Sequence, residues 1–138
     1  MNINKSNLPL NLKECNKQAI INYFNDAWQT ETTLLKSIKN EDTFYLNPDS
    51  LRNQLIFYLG HSAVFYINKL VITGLLNKRI NPEYELLFEM GVDPETPEEL
   101  EEAIANIKWD RVEKIWSYRH QAYEEIIRVI NHNSLEFP

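Results

Sequence analysis

Three polar side chains recur at intervals of seven inside the most apolar stretch of the chain, NPDSLRNQLIFYLGHSAVFYINKLVITGLL: Gln54, His61 and Asn68. On a helix turning about 100° per residue they project almost along one line. An imidazole on such a face has two uses. It can be a core histidine hydrogen-bonded to Gln54, Asn68 or a tyrosine, or its ring nitrogen can hold a metal ion. Unpaired, a polar group there would cost roughly 1 to 3 kcal/mol, so one partner or the other is required, and spacing alone does not choose between them. His120 and Glu124 lie four apart, a separation that can present two metal ligands on one helix face; it equally suits a surface pair that stabilises the helix, and that is the reading adopted. His132 is expected to meet the negative end of a helix dipole. Cys15 is the single cysteine, which leaves no disulfide framework and no thiolate cluster; it reads as a small apolar filler in a helix, in a reducing compartment.

The elements that must position these groups are helices. Asn11 is expected to cap a first helix running to about Lys39, with Ile20, Phe24, Ala27, Trp28, Leu34, Leu35 and Ile38 as its inward stripe. A connection over 40–47, aromatic at Phe44-Tyr45, drops back onto the bundle. The central buried helix then occupies Pro48 to Leu76, capped by Asp49 or Ser50 and ending at Gly74 or at Asn77-Lys78. Asn81 caps a short brace from Pro82 to Met90, closed by Gly91, with Leu86, Leu87 and Met90 inward. Nine acidic residues (Glu83, Glu85, Glu89, Asp93, Glu95, Glu98, Glu99, Glu101 and Glu102) fall between Arg79 and Lys108 and read as a solvated face. Thr96-Pro97-Glu98-Glu99 is a capping box opening a short helix to Ala105, and Asp110 with Glu113 opens a longer one to about Ile130, followed by an extended tail. No stretch reads as a strand.

A chain of 138 residues accommodates one core and not two ordinary domains. Its net charge of −6 argues against nucleic acid as a partner, because no basic stripe is present to neutralise phosphates. The start MNINKSNLPLNL lacks the apolar run of a signal peptide. Arg52, Gln54, His61, Asn68 and Lys69 interrupt the central stretch too often for a membrane span. A cytoplasmic protein without membrane contact is expected.

The run from Leu51 to Asp93 resembles the N-terminal DinB-like domain of the 5-histidylcysteine sulfoxide synthases, the iron-dependent enzymes of ovothiol biosynthesis. That family has a pattern close to P-L-R-x-x-L-I-F-Y-x-G-H-x-A-x-F-x-x-N-K-L, then G-L, R-I-N, E-x-L-F and G-V-D. The corresponding residues are Leu51-Arg52, Leu55-Ile56-Phe57-Tyr58, Gly60-His61, Ala63, Phe65, Asn68-Lys69-Leu70, Gly74-Leu75, Arg79-Ile80-Asn81, Glu85, Leu87-Phe88 and Gly91-Val92-Asp93. Weaker similarity extends over most of the chain.

The resemblance implies that His61 is one of three histidines holding a mononuclear non-haem iron(II), in an oxidoreductase that uses dioxygen to join cysteine sulfur to the histidine imidazole as a sulfoxide. Neutral imidazoles suit iron(II), and a facial set of three leaves positions open. It also implies what this chain lacks. The other two ligands belong to a later helix carrying E-H-x-x-I-H-x-E, and no H-x-x-x-H occurs in these 138 residues. His120 lies on the helix before the missing one, and a second domain resembling the formylglycine-generating enzymes is absent. Pro94 stands where the family has an acidic residue.

The expected architecture is therefore all-α: a single, incomplete DinB-like domain over 1–138, with three principal antiparallel helices and the fourth bundle helix lying beyond Pro138. No catalytic residue is assigned. Gln54 and Asn68 are expected, from the helix face alone, to steady His61. A bundle short of one helix bares a seam, and at about 25 cal/mol per Å² a few hundred Å² of it is worth several kcal/mol. A homo-oligomer, the missing C-terminal region or a partner chain should cover it, with Phe57, Val64, Trp116 and Tyr123 as its lining. As given, the chain should bind iron(II) weakly and catalyse no carbon–sulfur bond formation. The alternatives are a non-catalytic DinB-like association module, or a fragment of an ergothioneine-type synthase or of a metal-dependent thiol transferase.

Overall fold

The computed structural model of the chain describes residues 9–89 and 96–134, and every regular element among them is helical. Five α-helices follow one another: α1 (Lys17–Lys36), α2 (Leu55–Ile72), α3 (Pro82–Leu87), α4 (Pro97–Ala105) and α5 (Val112–His132), with a 3-10 turn at Glu41–Tyr45 between the first two.

Local hydrogen bonding decides where each helix starts, and it moves three of the expected starts. Asn11 closes a turn of its own, accepting from the Lys13 N–H at 3.2 Å, so the next asparagine becomes the cap: the Ala19 N–H donates to Asn16 Oδ1 at 2.9 Å. Cys15 consequently lies in the segment before α1, its Sγ 3.6 Å from the Leu12 carbonyl, and not within a helix. Asp49 likewise spends its carboxylate on a turn, accepting from the Leu51 N–H at 2.8 Å, and α2 begins only at Leu55. Its end is as expected at Gly74, whose φ of 74° is the left-handed conformation that glycine adopts without penalty. The Gly74 N–H donates to the Val71 carbonyl at 3.0 Å and the Leu75 N–H to that of Leu70 at 2.9 Å, the Schellman pattern.

Asn81 caps α3 through the Tyr84 N–H, and Thr96 caps α4 through the Glu99 N–H. Of the residues expected to face inward from α3, Leu87 packs against the core and Leu86 does not. Leu86 is 66% exposed, whereas Glu85 and Phe88 are fully buried; Met90 and Gly91 lie outside the described residues. Asp110 does not cap α5. It accepts from the Arg111 N–H and from the Tyr84 hydroxyl at 2.7 Å, tying α3 to the start of α5.

The three long helices are not mutually antiparallel as expected: only α1 runs against the other two. Lys17 bonds the Asn131 carbonyl, Tyr123 donates to Asn25 and Arg119 pairs with Glu31, so α1 ascends as α5 descends. By contrast Gln54 meets Trp109 and, further along both helices, Leu59 and Ser62 meet Arg119, so α2 and α5 run in the same direction. The connection carrying α3 and α4 returns the chain to the end where α2 began, as two parallel neighbours require.

Ile56, Leu59, Ala63 and Ile67 of α2 pack with Ile115, Ala122 and Val129 of α5, closed by Phe24 and Trp28 from α1 and by Phe44 and Phe88 from the connections. Arg119, 2% exposed, clamps all three helices: it donates to the Leu59 carbonyl and Ser62 Oγ, pairs with Glu31 at 3.0 Å and lies 4.6 Å over the Trp28 ring. Phe57 and Val64 belong to this core and cannot line a bared seam. The large apolar side chains α2 exposes are Tyr58, Phe65, Tyr66 and Ile72; of these Tyr58, Phe65 and Ile72, the last two 52% and 69% exposed, recur every seven residues with Leu51 before the helix. α2 is long and apolar enough to cross a membrane by length and composition; here its opposite face is the centre of the core.

Candidate functional site

α2 presents Gln54, His61 and Asn68 to the connection that follows it, and each bonds a different part of that connection or of the turn before α2. The Asn68 amide, buried, donates to the Glu85 carbonyl at 2.9 Å and accepts from Arg79 at 2.6 Å. The Gln54 amide donates to the Tyr45 carbonyl at 2.6 Å, and its oxygen accepts from the Trp109 indole N–H. Neither side chain bonds His61.

The partner of His61 is the main chain of Phe88, whose carbonyl oxygen is 2.6 Å from Nδ1. A carbonyl only accepts, so the hydrogen sits on Nδ1. In the neutral ring Nε2 then keeps its lone pair, the condition for binding a metal. The Phe57 ring stacks on the imidazole at 4.9 Å and fixes its plane. His61 also lines a surface cleft of about 260 Å³ together with Phe65, Asn68, Lys69, Ile72 and Glu89. The partner of the ring is thus a main-chain carbonyl and none of Gln54, Asn68 or a tyrosine, the partners expected of a core histidine.

Glu85 is the residue that sequence reasoning misassigned to a solvated face. Its carboxylate is fully buried, accepts from the backbone N–H groups of Ile80 and Asn81 at 2.9 and 3.0 Å, and pairs with Arg79 at 3.0 Å. Tyr118 on α5 also donates to it, and burial first, then the Glu85 charge, push the Tyr118 hydroxyl well above the usual tyrosine range. Asp93 and Glu95 of the acidic run lie outside the described residues. Trp109 was unmarked; Gly60, Glu85 and Phe88 stood in the pattern that carries the family resemblance, but without a role, and the juxtaposition of Gly60 with His61 is the signal of a close approach there.

The remaining histidines are elsewhere. His120 and Glu124 form an exposed pair at 3.4 Å, and His120 lines a separate cleft between α1 and α5. His132 Nδ1 lies 2.8 Å from the Arg128 carbonyl in the last turn of α5, the helix-end contact expected of it. Among the described residues no three of His, Cys, Asp and Glu are grouped so as to hold a metal ion.

No family model matches the chain. Over 114 residues, 80% of this chain, the sequence is 27% identical to Ergothioneine biosynthesis protein 1 of Neurospora crassa, and the chain spans only 13% of the length of that protein.

Proposed function

We propose that this chain is the His61-bearing part of a non-haem iron(II) sulfoxide synthase and is inactive without the remaining ligands. The single observation that carries the reading is the state of His61: Nδ1 is held by the Phe88 carbonyl and the residue lines a surface cleft, in a chain similar to a protein named for ergothioneine biosynthesis. The residue pattern around Gly60-His61 favours the ovothiol branch, in which cysteine and histidine are the substrates; the ergothioneine branch is the close alternative.

The described residues fit such a metal at one coordination position only. His61 offers an imidazole nitrogen, a donor suited to iron(II), and the other imidazoles must come from another segment or chain. When bound, the centre would supply dioxygen activation for carbon–sulfur bond formation. The role of this chain is to orient one donor and to offer Phe65 and Ile72 beside it as an apolar surface on which the segment carrying the other ligands docks and excludes water. The single cysteine fits a cytoplasmic setting.

A second reading, a non-catalytic association module, is favoured by the same exposed stripe. Iron(II) titration and a cysteine-plus-histidine turnover assay separate the two, applied to this chain, to its His61→Ala variant, and to a version extended with a helix carrying E-H-x-x-I-H-x-E and the second domain. The chain alone should bind iron(II) weakly and turn nothing over. The extended version should bind iron tightly and lose both binding and turnover on His61→Ala. Iron binding in the extended version that ignores His61→Ala would refute the proposal.

A further inference from the structure

The Phe88 carbonyl meets His61 while the Phe88 ring lies against α2. That ring rests flat on Gly60: a Cβ at position 60 would sit 2.5 Å from Phe88 Cδ1 and 2.6 Å from Cε1 and Cγ, distances no real side chain tolerates. The other side of the ring is covered by Trp109, stacked at 5.6 Å, whose indole N–H is held by Gln54. One turn away, Asn68 holds the Glu85 carbonyl, and the Glu85 carboxylate gathers Arg79 and the two N–H groups that open α3. Phe88 is therefore located from three sides, by the absence of a side chain at Gly60, by Gln54 through Trp109, and by Asn68 through Glu85.

We infer that Phe88 is the positioning residue of His61, its main-chain carbonyl setting the imidazole tautomer, and that Gly60, Gln54 and Asn68 act on His61 only through the place they give to Phe88. The inference supplies the outer support that a metal-ligating histidine needs, since the hydrogen bond at one ring nitrogen fixes the ring and selects the nitrogen left for the metal. It deepens the proposed function, yet its geometry does not depend on any metal being bound. Histidine in water prefers the Nε2–H form, so an Nδ1–H ring at His61 is a signature of the Phe88 contact and not of folding as such.

The test is long-range ¹H–¹⁵N correlation on the ¹⁵N-histidine-labelled chain, at a pH where imidazoles are neutral, with His61 assigned by its loss in His61→Gln. The native chain should show His61 as Nδ1–H. Gly60→Ala, which favours the helix but collides with Phe88, should shift His61 toward the Nε2–H form, and Gly60→Ala with Phe88→Leu, which frees space for the new methyl, should restore Nδ1–H. Asn68→Leu, which leaves Gly60 alone and cuts the tie to α3, should shift it in the same direction as Gly60→Ala and serves if that variant does not fold. An Nε2–H ring in the native chain, or an Nδ1–H ring unchanged in both Gly60→Ala and Asn68→Leu, would overturn the inference. If the tautomers behave as expected while iron ignores His61, the inference stands and the proposed function falls.

Discussion

At the scale of single residues, the two glycines of α2 and of the turn that ends it illustrate different physical demands. Gly60 is needed for space, Gly74 for backbone conformation: at Gly74 a Cβ would meet nothing within 4 Å, but φ is 74°. Gly74→Ala should therefore cost about 1 kcal/mol from left-handed strain alone, read as a lower urea midpoint with unchanged cooperativity. Asp110 is a second residue whose effect can be isolated. The Tyr84 hydroxyl first, then the Arg111 N–H and Lys114, hold its carboxyl below the ordinary 3.8. A carboxylate whose value is depressed in the folded state stabilises above its unfolded value and loses that contribution as pH falls through the folded one. The stability difference between the native chain and Asp110→Asn should thus be constant near neutral pH and shrink below about pH 4. A difference independent of pH across that range would show that the charge contributes nothing.

At the scale of elements, the boundaries test which of two chemically identical caps a helix uses. Asn16 accepts from the Ala19 N–H of α1, while Asn11 accepts from Lys13 in a turn outside it. Asn16→Ala should cost about 1 kcal/mol of stability, and Asn11→Ala distinctly less. Equal costs would mean that the helix starts earlier, where the sequence pattern places it. α3 makes a complementary point. Leu86 is exposed, and beside the packing of Tyr84 and Leu87 this short helix is held by polar ties, from Asn68 and Arg79 to Glu85 and from Tyr84 to Asp110.

At the scale of the whole molecule, α1 opposes two parallel long helices, and α2 keeps an apolar line of Tyr58, Phe65 and Ile72 exposed beside the His61 cleft. Large apolar side chains aligned on one face mark an association surface. The chain alone should self-associate with rising concentration in sedimentation velocity, and Phe65→Glu, at an exposed position, should weaken this without loss of helical content. A concentration-independent monomer would remove the case for self-association through this face.

The sequence alone was enough to establish an all-helical chain, because the 3.6-residue periodicity of its apolar positions, the Thr96 and Asn81 caps and the stop at Gly74 are local signals. It was enough, too, to bring Gln54, His61 and Asn68 to one side of α2, since a spacing of seven needs nothing but helical geometry. The partners of those residues come from segments distant along the chain, and tertiary structure alone decided them: that His61 answers to the Phe88 carbonyl and not to a neighbour in the stripe, that Glu85 leaves its acidic run for the interior, and that Phe57 and Val64 are core while Phe65 is surface. The physical reason is that a helical pattern fixes relative angles around one axis but not which sector is covered. That sector is set by where the long connection returns, and here the need to bury Phe88 on Gly60 and to satisfy Glu85 with Arg79 and Asn68 places it.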